Sequence, residues 1–356
     1  MNTELMKALD PPAEKLEYGG KELELTNLAT ALVDPPKPPE EVIKQILRRG
    51  HKMMVTASSK AGKTWLMIEL ACAIASGQMW LGYFVKRGKV LYLNMELSES
   101  SFINRFKIVA DKMKLSSADQ NNIDFFSLRG VNGSFDELAE LVAHVVKENQ
   151  YIMVIIDPIY KLFEGSENDQ EAVTLFCNNL DVIANAGASV VYTHHHSKGA
   201  QAGKSAMDRG SGSGVFARDA DALMDLLEVD CPEELQEKDK TISAYQVEWT
   251  LREFKPRPIT GITFDYPIHK PDPSGAVLDS KPKSNQRRGG TTTGQINHER
   301  REAKKAEFVE AFSEGVTTLD GMKARLDVGE RTVKNYAKDA GYVVFRGNIT
   351  QKVKVE

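Results

Sequence analysis

A chain of 356 residues that is 41% apolar and 27% charged has the composition of an ordinary folded protein, which excludes disorder throughout. No stretch approaches the roughly 20 continuous apolar residues of a membrane span, and the start of the chain, with Glu4 and Asp10 and no apolar run, lacks a signal-peptide pattern; no membrane partner and a cytoplasmic location are expected. The net charge of −4 hides an asymmetry, because Lys281 to Glu356 hold sixteen Lys or Arg against ten Asp or Glu, a balance of +6 that leaves −10 for the first 280 residues. A polyanion is therefore expected at the carboxyl end, if anywhere. Cys72, Cys177 and Cys231 are far apart and form no C-x-x-C pair, so they read as reduced, buried thiols rather than a disulfide framework or a zinc site.

Residues 1–50 carry Pro11-Pro12 and the prolines from Pro35 to Pro39, broken by a short helical pattern at Glu40 to Arg49, and read as an amino-terminal arm. From Met53 onward, β-rich runs alternate with helical ones. MMVTA precedes a helix after Lys63, KVLYLNM one from about Ser98, and NIDFFSL one opened by a capping box, Ser134-x-x-Glu137. YIMVIID with a helix from about Asp169, and then ASVVYTH, complete the alternation. Strands that are apolar almost throughout and alternate with helices predict an α/β fold, a parallel sheet with helices on both faces, over residues 51–270. Runs at Ala222 to Val229, Thr241 to Leu251 and Gly261 to Tyr266 are expected as antiparallel additions at one edge. Residues 271–297 have no apolar periodicity and many Gly, Pro, Ser and Thr, the pattern of a flexible linker. Residues 298–356 then read as helix, helix, turn, helix and a hairpin around Gly347-Asn348.

The strand MMVTA runs into Ala57-Ser58-Ser59-Lys60-Ala61-Gly62-Lys63-Thr64 and straight on into helical WLMIELACAIA. This is the phosphate-loop pattern G-x-x-x-x-G-K-S/T with Ala57 in place of the first glycine. Such a loop aims backbone N–H groups at phosphates, and the following helix adds its dipole. The ligand expected is ATP with Mg²⁺: Ser58, Ser59, Lys60, Ala61, Gly62 and Trp65 contact the nucleotide, Lys63 reaches the β- and γ-phosphates and Thr64 ligates the metal. Asp157 ends YIMVIID where a carboxylate could complete the metal site, or could simply form a turn. Glu96, after KVLYLNM, could deprotonate the attacking water, or could be an acid favoured at a helix start. His194, His195 and His196 end ASVVYT; side chains that alternate between faces could not converge on one metal, but one at this strand end could touch the γ-phosphate.

Taken together, ASSKAGKT, the acid in LYLNMELS, IIDP, THHHSKG and DRGSGSG make the region from about Met53 to Tyr266 resemble the RecA-like ATPases, and most closely the RepA-type hexameric replicative helicases of plasmids and phages. The resemblance covers about 60% of the chain. It implies that Glu96 is the catalytic acid, that His194-His195 sense the γ-phosphate ahead of Ser197-Lys198, and that ATP sites lie between subunits of a homo-hexamer, completed by a neighbour's arginine. Arg209, Arg218 and Arg252, with Lys255 nearby, are the candidates.

The carboxyl-terminal unit looks like a winged helix-turn-helix. Leu319, Met322, Leu326, Val333 and Tyr336 supply an apolar face for two helices, with Gly329 in the turn. The second helix would present Arg331, Thr332, Lys334, Asn335 and Lys338 to DNA, and the wing would add Arg346 and Lys352; a protein-binding wing is the alternative. The expected activity is an ATP-driven ring helicase on single-stranded or forked DNA, serving a plasmid, phage or mobile element with a possible replication partner protein. An ATP-dependent DNA-binding regulator or helicase loader that does not unwind is the alternative.

Overall fold

The alternating runs form the expected strands and helices, with β1 (Lys52–Ala57), α1 (Lys63–Ser76), β2 (Val90–Asn94), α2 (Glu99–Met113), β3 (Ile123–Ser127), α3 (Phe135–Asn149), β4 (Met153–Asp157), α4 (Gln170–Asn185) and β5 (Ser189–His195). Then follow β6 (Ala222–Val229), β7 (Ser243–Leu251), β8 (Thr260–Asp265) and β9 (Ile268–Pro271). The source is a computed structural model, which describes residues 16–163, 170–196, 205–209, 215–236, 239, 241–283, 305–326, 328–345 and 347–351. Among these residues the largest sheet has nine strands in the order β9-β8-β7-β6-β1-β5-β4-β2-β3. The chain divides into two compact units, residues 1–283 and 284–356.

Strand alternation explains how one sheet serves two cores. Met53 and Val55 of β1, Tyr92 of β2 and Ile155 of β4 join one core, with Leu66, Leu70 and Ile74 of α1 and Phe102 of α2. Met54, Leu91, Leu93, Val154 and Ile156 face the other, where Val142 of α3 and Phe176 and Leu180 of α4 cover them. Helix α1 is buried along most of its length, and each fully buried Leu or Ile on it contributes about 2 kcal/mol.

Several segments differ from the sequence expectation. Residues 40–49 are not helical: Glu41–Ile43 and Leu47–Arg48 form a hairpin, turned at Gln45 (φ 55°), whose backbone N–H donates to Glu41 Oε2 at 2.9 Å. Its apolar residues Val42, Ile43, Ile46 and Leu47 are buried in the core of α1, so the domain begins before residue 50. Strand β6 is not an antiparallel addition; it pairs parallel with β1, and only β7, β8 and β9 run antiparallel. Ser134 does cap α3 by position but makes no capping hydrogen bond; its hydroxyl serves Asp136 instead, so the box with Glu137 does not form. Past Pro271 the chain stays packed: Asp272 accepts the Val277 N–H at 2.9 Å, Val277 is buried, and the Lys283 N–H donates to Glu228 O at 2.9 Å. The expected linker thus loses its first residues to the sheet edge; residues 284–297 lie outside the described residues.

In the smaller unit, a helical segment at residues 305–313, α5 (Leu319–Leu326), α6 (Glu330–Asp339) and the hairpin β10 (Tyr342–Phe345) and β11 (Asn348–Gln351) follow the expected order. Asn348 belongs to β11, where it pairs with Phe345, rather than to the turn. Phe308, Met322, Leu326, Val333, Tyr336 and Ile349 form the core. No helix among the described residues is long and apolar enough to cross a membrane.

Candidate functional site

The carboxyl ends of the parallel strands emerge along one edge. Ala57 of β1 stands opposite His195 of β5, and Asn94 of β2 opposite Asp157 of β4, so the phosphate loop leaves β1 beside the strand ends that carry the other candidates. Ala57 is fully buried strand, paired also with Leu226, so nothing at that position calls for glycine. The loop turns at Lys60 (φ 65°) and Gly62 (φ 81°) instead, and Gly62 caps the start of α1.

Lys63 opens α1 with its ammonium folded back on the loop. Its Nζ donates to Ala57 O and Ser58 O, each at 3.0 Å, and lies 3.0 Å from His195 Nδ1. Burial pulls its pKa down to about 8, against the opposing pull of the Asp157 and Glu96 carboxylates. Asp157 is buried and held by two hydroxyls: Tyr92 donates to Oδ2 at 2.9 Å and Thr193 to Oδ1 at 2.6 Å. Burial and the Asp157 charge push the Tyr92 phenol well above its usual range, which keeps it a donor. Each Asp157 oxygen retains a second lone pair for a cation.

A cavity of about 550 Å³ opens over these groups. Its wall includes Ser59, Lys60, Ala61, Gly62, Lys63, Thr64 and Trp65 of the loop and helix start, Glu96, Asp157, Tyr160 and His195, with Tyr245 of β7 and Phe264 of β8. Glu96 is exposed within that wall. Ser58 is not part of it and serves through its carbonyl, which holds Lys63. Thr64 and Asp157 offer hard oxygen donors in one cavity, a set that fits Mg²⁺.

The three histidines diverge as strand alternation requires. Only His195 lines the cavity, its ring 5.5 Å from that of Tyr160. His194 turns into the opposite core, 5.3 Å from the Phe216 ring, with Nδ1 2.9 Å from His195 O, so of the pair singled out in the sequence only His195 reaches the cavity. His196 Nε2 lies 2.8 Å from Asp225 Oδ1.

Neither Arg209 nor Arg252 is brought to the cavity. Arg209 is buried, its Nε donating to Asp225 Oδ2 at 2.6 Å and its Nη2 to Glu248, while Thr56 Oγ1 donates to the same Asp225 at 2.5 Å. Two carboxylates of its own chain thus hold the Arg209 guanidinium. Arg252 bonds Asp221 Oδ1 at 2.8 Å and the Arg218 carbonyl at 2.5 Å. Asp221 precedes Ala222, which is opposite Met53 at the far end of β1, so Arg252 and Arg218 sit at the end of the sheet away from the loop.

Sequence reasoning passed over Arg105, which lines the cavity with its guanidinium 5.1 Å over the Trp65 ring; Trp65 in turn lies 5.0 Å from Tyr266. A signal existed: Arg105 shares the helix face of buried Phe102 and Val109, an unusual place for a cation unless it serves a site. In α6, Lys334, Asn335 and Lys338 are exposed, Thr332 is half-buried, and Lys334 pairs with Glu330 at 2.6 Å. The Arg331 side chain, Arg346, Lys352, Ser197 and Lys198 lie outside what is described.

A family model described as an AAA domain matches residues 20–201, just over half the chain. Among curated proteins there is no match.

Proposed function

Because the chain belongs to the AAA domain family of P-loop ATPases, which bind nucleotide with a divalent metal, we propose that its cavity hydrolyses ATP to drive movement along single-stranded DNA and the opening of forked duplex. The working form in this reading is a homo-hexameric ring, the replicative helicase of a plasmid, phage or mobile element. The observation that carries ATP turnover is the convergence of Lys63, Asp157, Glu96 and His195 on one cavity beside the phosphate loop.

The loop amides and Lys63 take the β- and γ-phosphates, and Lys63 exchanges its two loop carbonyls and His195 for phosphate oxygens. Thr64 and Asp157 would hold Mg²⁺, which when bound neutralises charge on the phosphate oxygens. Glu96 accepts a proton from the water whose oxygen attacks the γ-phosphorus. The bond from that phosphorus to the β-bridging oxygen breaks, and its electron pair leaves with ADP. His195 reads the γ-phosphate through Lys63. Trp65, Tyr266 and Arg105 offer planar faces for the base.

The smaller unit acts as a winged helix whose α6 approaches DNA or a replication partner through Lys334, Asn335 and Lys338. Support comes from their position opposite Val333, Tyr336 and Ala337, which are buried. A second reading, an ATP-switched DNA-binding regulator or loader without unwinding, is favoured by the engagement of Arg209 and Arg252 within their own chain.

Steady-state ATP hydrolysis by the full chain, with and without single-stranded DNA at low and moderate salt, separates the two. Strong stimulation together with strand separation on a forked duplex supports the motor. Basal hydrolysis that DNA leaves unchanged supports the regulator.

A further inference from the structure

Behind the phosphate loop, two titratable side chains that hydrolysis does not use are buried together. Glu69 projects from α1, six residues past Lys63, and is 4% exposed; the His269 side chain, from β9, is wholly buried. One oxygen of Glu69 accepts the His269 backbone N–H at 3.0 Å, and the other accepts from Nδ1 at 2.6 Å. A carboxylate bound to both the backbone N–H and the Nδ1 side of one residue fixes the orientation of its ring and turns Nε2 away from the carboxylate.

That Nε2 is buried without a hydrogen-bond partner among the described residues, and it faces Gly62. A Cβ built on Gly62 would lie 3.4 Å from Nε2 and 3.9 Å from the Phe264 ring. The imidazole is packed 4.5 Å from Phe264, centroid to centroid, and Phe264 lines the nucleotide cavity whereas His269 does not. Burying an ionisable pair in an apolar wall is unfavourable by itself, and apolar side chains would fill the same volume more simply. What the pair supplies that they would not is a hydrogen-bonded, orientationally fixed ring whose Nε2 lies beside the open side of Gly62, 3.4 Å from where a Cβ would stand.

We propose that Glu69 and His269 position the phosphate loop. The carboxylate locks the imidazole, and the imidazole backs Gly62, so that the amides of the last loop turn stay aimed at the phosphates. Because α1 carries Lys63, Thr64 and Glu69 on one rigid element, the same contact ties the phosphate-gripping end of the helix to the β8–β9 hairpin that brings Phe264 to the cavity. His269 is a positioning residue, acting through Gly62. This inference rests on the reading of the cavity as an ATP site.

The test uses the full chain with MgATP. His269→Asn keeps a donor within reach of Glu69 but removes the atom that faces Gly62, whereas His269→Gln extends an amide to that place. Rates over a range of ATP concentrations, affinity for a fluorescent ATP analogue and the melting temperature without nucleotide are compared for each variant. Misplacement of the loop predicts that His269→Asn raises KM for ATP about tenfold while kcat stays within about twofold, with the unliganded melting temperature close to wild type and affinity largely restored in His269→Gln. An unchanged KM in His269→Asn overturns the proposal. So does a loss of fold in both variants, which would make the pair structural only. Wild-type protein that neither binds nor hydrolyses ATP would instead remove the function reading, an outcome distinct from both.

Discussion

In the larger unit, beside its surface ion pairs, a set of polar groups points inward at the ends of strands: Lys63 on loop carbonyls, Asp157 under two hydroxyls, Asp225 among Thr56, His196 and Arg209, and Lys52 between Asp181 at 2.5 Å and Asp219 at 2.7 Å. Among the described residues of the smaller unit the ion pairs stand on the surface, Lys323 with Asp320, Lys334 with Glu330 and Arg325 with Glu307 and Glu314, over a core of few side chains. The difference follows from rigidity. A buried charge needs several partners held in place at once, which a nine-stranded sheet provides and the few short elements described in the smaller unit do not. Surface charges need no such frame, because they act on a partner across water.

The contrast predicts large effects in the first unit and small ones in the second. Glu96→Gln is expected to retain ATP binding and lose hydrolysis by about 10²- to 10⁴-fold, measured as phosphate release beside analogue binding. Lys63→Ala is expected to cut turnover by at least about 10²-fold with circular dichroism unchanged; wild-type turnover in that variant would move the phosphate site elsewhere. Asp225→Ala removes one of the two carboxylates around buried Arg209 and the shared partner of Thr56 and His196, and is expected to destabilise the larger unit by roughly 3–5 kcal/mol in urea unfolding. A loss below about 1 kcal/mol would show that the inward charges are not the frame they are taken for.

The pH dependence of nucleotide affinity sharpens the same point. The free protein holds the Lys63 pKa near 8, and phosphate favours the charged ammonium, so affinity should be level below about pH 7 and fall as pH rises through 8. The loss by pH 9 is about tenfold, read by analogue titration. The smallest effects belong to α6: Lys334→Ala or Lys338→Ala should change stability by less than about 0.5 kcal/mol. If the unit binds DNA, each should also lower the salt dependence of affinity by about one unit of slope.

Much of this was legible in the sequence because it is local. Apolar runs marked β1 to β5, and a strand entering a loop entering a helix marked Lys63 and Thr64. What escaped was set by distant pairing. The direction of β6 depends on its partner β1, some 170 residues earlier, and period-two apolarity is the same for parallel and antiparallel neighbours. The hairpin at residues 41–48 has apolar doublets compatible with a helix turn, and becomes β because residues 84–86 hydrogen-bond to it. Arg209 looked available because its partners, Asp225 and Glu248, lie 16 and 39 residues on. His269 gave no signal at all, since its meaning lies in Glu69, 200 residues before it.

The place of Ala57 has a consequence for how such chains are searched for. A pattern that insists on glycine at the head of the loop encodes a residue, whereas the backbone here needs left-handed freedom at the fourth and sixth positions, Lys60 and Gly62, and plain strand geometry at the first. Profiles that score the first position as any small strand residue, and reserve the penalty for losing Gly62, would gather relatives that a literal motif discards.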